Sequence, residues 1–339
     1  MAELRLNPVT RRWMVTGKRP VMPDVRDTGA SCPFCRGNEH LTPKAICEWR
    51  DASGAWGVRI FHDRAPLVRI EGGMDSRAEG MFDRMNAVGA HEIVVETPQH
   101  GLTMAQFPPE QVAKVTELCR DRIFDLKRDR RFRYVSLFKD QHPPSPSLPG
   151  HSYSQILATP VLPQLLEIEF RWCRAHFLRK ERCLFCDILQ QEVPQGTRVV
   201  DQTPDFIALC PFASRSPYEV WVLPLRHASS FEKDMAEPAR VASLASFLKS
   251  CLQRLEKIAE TLHVVVHTEP NLDAYRPTKD WWKTIAEDFH WHIEIHPDVE
   301  GQRRYLGSEG FYFNPIPAEE AAIVLRALEP GGEPPRSSL

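Results

Sequence analysis

Apolar positions recur along this chain in two modes, and the order in which the modes alternate is repeated. In the first half, period-two or continuous apolar runs predict strands at residues 57–61, 91–97, 134–139 and 152–158. Between them, Pro108-Pro109 opens a predicted helix whose Val112, Val115, Leu118, Cys119 and Phe124 lie near one face. A second amphipathic run covers residues 163–180. The later half repeats the order, with strands at 206–209 and 219–223 and a long helix carrying Val241, Leu244, Phe247, Leu248, Cys251, Leu255 and Ile258. Strands at 263–268 and 290–296 follow. In the last, alternation puts His290, His292, Glu294 and His296 on one face and Trp291, Ile293 and Ile295 on the other. A core strand seldom lines up so many ionisable groups unless that face is a site or is solvated.

The repetition extends to chemistry. Cys32-Pro-Phe-Cys35, His100 and the run His151-Ser-Tyr-Ser-Gln155 are echoed by Cys183-Leu-Phe-Cys186, His227 and His290-Trp-His-Ile-Glu294. Two thiolates three residues apart can grip one tetrahedral ion, and two imidazoles complete a Cys2His2 shell. The expected shells are Cys32, Cys35, His100 and His151, then Cys183, Cys186, His227 and His290, each holding zinc or another thiophilic ion. The competing reading of either pair is buried thiols without a metal.

Composition narrows the setting. The 339 residues carry 26% charged side chains and a net charge of −2, which allows a sizeable core and points to no polyanion partner. The Arg128–Arg133 basic run lacks interleaved aromatics, so no nucleic acid is expected. No apolar stretch reaches membrane-span length and the first residues lack a signal-peptide pattern, so a cytoplasmic protein is expected. Nine cysteines, including the CxxC pairs, suit metal ligation in a reducing compartment better than a disulfide framework. The stiff Pro143–Pro149 stretch and residues 276–283 look like a loop and an insertion before the two histidine runs.

CPFCRGNEH, HEIVVETPQH, HSYSQI, RCLFCDI, CPFASRSPYEVWVLPLRH, VVVHTEP, FHWHIEI and GFYFNP, in that order, resemble the galactose-1-phosphate uridylyltransferase family of the histidine-triad superfamily, which includes ADP-glucose phosphorylases. The resemblance covers nearly the whole chain. It implies an α+β fold made of a tandem pair of histidine-triad-like units, each an antiparallel sheet with packed helices, and commonly a homodimer. The expected units are 1–178 and 179–330, followed by a disordered tail, 331–339. The implied chemistry is ping-pong transfer of a nucleotidyl group between a nucleotide sugar and a sugar phosphate or phosphate. A His of an H-x-H-x-Q run attacks the α-phosphorus, the first His ligates zinc (here His151), and the Gln (here Gln155) donates to a nonbridging oxygen. Phe138, Asp140, Ser147 and Ser154 fall at nucleotide-binding positions.

This chain departs from that pattern at the nucleophile, where Tyr153 stands. A phenol with pKa near 10 is about 0.1% ionised at pH 7, which sets an unassisted Tyr back by about 4 kcal/mol relative to its phenolate. Tyr153 is then a packed replacement without a covalent role, a nucleophile activated by a nearby base, or a sign of catalysis by another route. Asp140 puts a carboxylate where the family has an amide, and Pro143, Pro144 and Pro146 remove backbone donors from the expected phosphate loop. An enzyme of altered or impaired activity and a zinc-containing homologue that binds nucleotides or a protein partner both fit. Glu169 and His267 resemble residues that, with His at positions 290 and 292, hold a second metal in some uridylyltransferases. The Cys183/Cys186 pair instead favours zinc there and leaves Glu169 and His267 as ordinary polar residues. His62, His91 and His142 are expected to be surface or core histidines.

Overall fold

The computed structural model describes residues 2–17, 32–141, 150–275, 282–299, 305–306 and 311–331. The expected Pro-rich loop at 143–149, most of the expected insertion (276–281) and the tail from 332 lie outside the described residues, as does Ser147.

The alternating segments assemble into a ten-stranded sheet. Its strands, in chain order, are β1 (Cys47–Arg50), β2 (Trp56–His62), β3 (Ala90–Val95), β4 (Tyr134–Gln141), β5 (Tyr153–Thr159), β6 (Val199–Gln202), β7 (Phe206–Leu209), β8 (Val220–Pro224), β9 (Leu262–His267) and β10 (His292–Pro297). The spatial order is β6-β7-β8-β10-β9-β4-β5-β3-β2-β1, antiparallel throughout. Taken from each outer edge inward, the halves read β1-β2-β3-β5-β4 and β6-β7-β8-β10-β9, so both follow one winding. They are not separate sheets. Strands β4 and β9 pair with each other, Phe138 opposite Val265 and Asp140 opposite His263, and each half thereby covers the other's inner edge.

Helices α1 (Pro109–Leu126) and α4 (Pro238–Leu255) occupy the same place in the two halves, between the third and fourth strands, and pack together on one face of the sheet. Both open with Pro in the first turn, where the missing N–H costs nothing. Val112, Val115, Cys119, Ile123 and Leu126 of α1 join Val241, Leu244, Phe247, Leu248, Cys251 and Leu255 of α4 over Val135, Leu137, Ile156, Trp291, Ile293 and Ile295. Phe124 departs from the expected stripe: it is 52% exposed, because the i, i+3, i+4 progression from Val112 passes through Ile123 instead. Ile258 lies beyond the end of α4.

The opposite face differs between halves. Over the second half lie α2 (Gln164–Lys180), ended by Glu181 at φ 56°, and α3 (Leu184–Gln195), ended by Gly196 at φ 65°. Leu166, Phe170 and Cys173 pack with Cys183, Phe185, Leu189, Ile207, Leu209, Leu223 and Phe289, so packing crosses the expected boundary at 178/179. Over the first half, among the described residues, lie two smaller clusters: Trp56, Phe61, Ile93 and Val95, with Phe34 and Tyr153 against them, and Leu4, Val68, Met85, Ala87 and Val161, with Leu157 against them. A small four-stranded sheet (Glu3–Leu6, Trp13–Thr16, Arg77–Glu79, Phe82–Asn86), which the sequence pattern did not predict, and α5 (Ala318–Ala327) flank the main sheet. Among the described residues no helix is long and apolar enough to cross a membrane.

Candidate functional site

The first CxxC forms a turn and the second opens helix α3, and each presents its thiols to two imidazoles. In the first set, Cys32 Sγ lies 3.7 Å from His151 Nδ1, and Cys35 Sγ lies 3.5 Å from His100 Nδ1 and 3.8 Å from His151 Nδ1. In the second, Cys186 Sγ lies 3.3 Å from His227 Nδ1 and 3.7 Å from His290 Nδ1. Within each set one ligand atom per residue falls within 4.8 Å of all the others, so each could hold a metal ion. The outward nitrogens are fixed. His151 Nε2–H donates to the Thr97 carbonyl at 2.7 Å, His227 to Ala286 at 2.9 Å and His290 to Pro224 at 2.9 Å. That assigns Nδ1 the inward lone pair, as a tetrahedral N2S2 site needs. Without a cation, burial pushes the Cys32 thiol up to about 12, which an ion between the thiols would reverse. In the second set the Cys183 thiol bonds the Cys186 sulfur, lowering Cys186 and raising Cys183.

Glu169 and His267, expected as ordinary polar residues, lie close to one another. With His292 they form a further group that could hold a metal, distinct from the Cys183 set. His267 Nδ1–H donates to Glu169 Oε2 at 2.8 Å, and His292 Nδ1–H to the His290 carbonyl at 3.1 Å. His292 Nε2 then carries a lone pair 3.6 Å from Glu169 Oε1 and 3.7 Å from Glu294 Oε1. His292 Nε2 and Glu169 Oε1 are both buried without a hydrogen-bond partner, which is a donor set suited to a cation. A fourth convergence, Glu219, Glu294 and His296, already contains a cation: the Arg215 guanidinium pairs with Glu294 and donates to His296 Nε2 at 2.9 Å. Burial works against the Glu294 charge, but the neighbouring His267 outweighs it and holds the carboxyl well below its usual range.

On β5, alternation separates the expected residues. Tyr153 and Gln155 share one face with Phe138, which is in register with Gln155. Tyr153 is partly buried, its ring 5.5 Å from Phe34 and edge-on to it. Gln155 Oε1 lies 3.0 Å from His91 Nε2, and His91, with Asp63, Arg64 and Arg69, lines a cleft of about 480 Å³. Asp140 accepts a hydrogen bond from His263 Nδ1 at 2.8 Å, across the seam between halves. Ser154 is not brought to this face. It is buried on the helix-covered side, where its hydroxyl and that of Ser152 bond Glu96, which pairs with Lys139 at 2.8 Å. His292, at the position matching Tyr153, has no exposed surface and is caged by Phe185, Trp221 and Phe289 at ring separations of 4.6, 5.5 and 6.2 Å.

No family model matches the chain. It is 28% identical over 341 residues to a galactose-1-phosphate uridylyltransferase of Thermotoga maritima, covering 97% of this chain and 99% of the relative. It is 25% identical over 342 residues to ADP-glucose phosphorylase of Arabidopsis thaliana, covering 96% and 93%. A solved uridylyltransferase shares the fold with a TM-score of 0.77 at 24% identity, over 96% of this chain and 97% of the other. This chain is a relative of the galactose-1-phosphate uridylyltransferases and of ADP-glucose phosphorylase.

Within this relative of the uridylyltransferases, sequence reasoning missed His91, Asp63, Lys139, Glu96 and Arg215. His91 carried a signal that went unused: it sits on the same strand face as the row leading to Gln155, two residues before Ile93, which pairs with Gln155. Arg215 and Glu96 had none, since their partners are chosen by strand register.

Proposed function

We propose that this protein acts on a nucleotide sugar and a hexose 1-phosphate or phosphate, as a nucleotidyltransferase of the galactose-1-phosphate uridylyltransferase type with altered or impaired activity. The observation that carries the reading is the juxtaposition of Tyr153, Gln155 and Phe138 on one sheet face with His91, which bonds Gln155 and also lines a separate cleft with Asp63, Arg64 and Arg69. Relatives named for uridylyl transfer and for ADP-glucose phosphorolysis support the substrate class. Gln155 would bond a nonbridging phosphoryl oxygen, and residue 153 would face the α-phosphorus. Because Tyr153 replaces the family's nucleophilic His, covalent transfer in the native chain should be low or absent. Both Cys2His2 sets would hold zinc and tie distant segments together. The same reading carries units of 1–178 and 179–330, a homodimer and a cytoplasmic setting.

The test is mass spectrometry of the zinc-loaded protein after incubation with UDP-glucose or ADP-glucose. The expected result is little or no nucleotidyl adduct on the native chain and an adduct on residue 153 in Tyr153→His. Turnover at ordinary enzyme rates that survives Tyr153→Phe would place the nucleophile elsewhere and overturn the role given to position 153. The phenol itself favours a second reading, a homologue that binds nucleotides or a protein partner without transfer. In that case both variants stay inactive and nucleotide affinity changes little in Tyr153→Phe.

A further inference from the structure

A carboxamide has two unlike ends: an oxygen that accepts, and an –NH2 that donates and is the only end able to bond a phosphoryl oxygen. Which end of Gln155 faces a ligand is therefore a chemical decision, and the structure shows what makes it. Gln155 Oε1 lies 3.0 Å from His91 Nε2, and the His91 ring is buried. The other ring nitrogen, Nδ1, accepts the Leu67 backbone N–H at 3.3 Å, which puts the ring proton on Nε2. Asp63 Oδ2 stands 3.2 Å from the same Nδ1. Asp63 is itself anchored, its N–H donating to the His91 carbonyl at 2.9 Å and its Oδ1 accepting the Ala65 N–H at 3.1 Å. With the proton on Nε2, that nitrogen donates and Gln155 holds its oxygen toward His91.

We infer that His91 is a positioning residue that sets the Gln155 carboxamide so that its –NH2, and not its oxygen, is presented to a phosphoryl group. This rests on the nucleotide site proposed above. The second half shows the contrast. Glu294, the counterpart of Gln155, has two equivalent oxygens and no end to choose, and Arg215 and His296 occupy it.

The experiment uses the full, zinc-loaded chain with glutamine side-chain amides labelled for NMR, together with calorimetric titration of ADP and of UDP. In wild type, the Gln155 –NH2 pair is expected to stand apart from free glutamine. In His91→Phe, which keeps the ring and removes the donor, that pair should collapse toward the free position and affinity for the nucleotide should fall about tenfold. His91→Gln, which keeps an N–H donor, should recover most of both signals. The inference is overturned if the Gln155 pair is the same in wild type and His91→Phe. It is also overturned if His91→Phe and His91→Gln lose affinity and melting temperature alike, since that describes a packing role. If wild type binds neither ADP nor UDP, the nucleotide reading fails, while the Gln155 resonances still decide the positioning role.

Discussion

The two halves of the sheet have the same winding and each carries a Cys2His2 group at the start of its fifth strand's motif, yet their site faces, which lie on the same side of the sheet, are covered differently. In the second half, α2 and α3 cover the face, His292 is caged by aromatic rings and Glu294 is paired with Arg215. In the first half, Tyr153 packs against a small cluster to which no helix contributes among the described residues, and a cleft opens beside His91. The metal-ligand geometry recurs in both halves, while the cover over the sheet face does not. The lesson is that a repeated motif gives two equal frameworks and not two equal sites. What packs on the sheet decides which can take a ligand.

Removing metal should have the largest effect and should not distinguish the halves. Structural zinc is worth about 10–16 kcal/mol in small peptides. Elemental analysis is expected to find two zinc ions per chain, and Cys32→Ser and Cys183→Ser should each lower the melting temperature far more than Cys119→Ser, whose thiol is a buried core group. Equal losses at all three would make the CxxC thiols ordinary core residues. Nucleophile chemistry should separate the halves next. Supplying an imidazole through Tyr153→His removes an ionisation handicap of about 4 kcal/mol, up to about a thousandfold in the rate of adduct formation. The adduct should map to residue 153, and its appearance on His292 would contradict the burial argument.

Ionic packing should separate them further. Glu294→Gln leaves Arg215 and His267 without their shared carboxylate and should cost about 3 kcal/mol in urea unfolding. Gln155→Ala should cost about 1 kcal/mol, the scale of one neutral hydrogen bond. Comparable costs would mean that the second face is no more locked than the first. The smallest effect is a pH dependence behind the second-half strand, where Asp234 accepts from Trp291 Nε1 at 2.9 Å and pairs with Arg240. Burial works against its charge, but bonds from Arg240, Arg226 and Trp291 outweigh that and lower its pKa. A depressed carboxyl stabilises above its unfolded pKa and loses that contribution as pH falls through the folded one. The stability advantage of wild type over Asp234→Asn at neutral pH should therefore shrink below about pH 4. A difference that stays constant down to pH 2 would show that the pair is not what stabilises this position.

Local patterns made much of this legible in advance. Strand and helix periods, proline at helix starts and the CxxC–His–HxxxQ/E repeat are properties of neighbouring residues, so the repeated order of elements and both Cys2His2 groups could be read from spacing, while the antiparallel α+β fold was implied by the family resemblance. The family resemblance then followed from the order of these motifs. Ser154 shows where the reading stopped: placing it with Gln155 ignored the alternation of β5, which turns it toward Glu96.

By itself, then, the sequence determined the repeated order of elements and which side chains could serve as ligands or site groups, because short-range sterics and ligand spacing act within a few residues. Only the tertiary structure decided that the half-sheets fuse at β4 and β9, that Glu169 from α2 meets His267 and His292, that Arg215 fills the Glu294 site, and that His91 takes the oxygen of Gln155. Those contacts join residues separated by tens of positions or more. They depend on strand register and on which helices cover each face, quantities set by the packing of the whole sheet and not by any local signal.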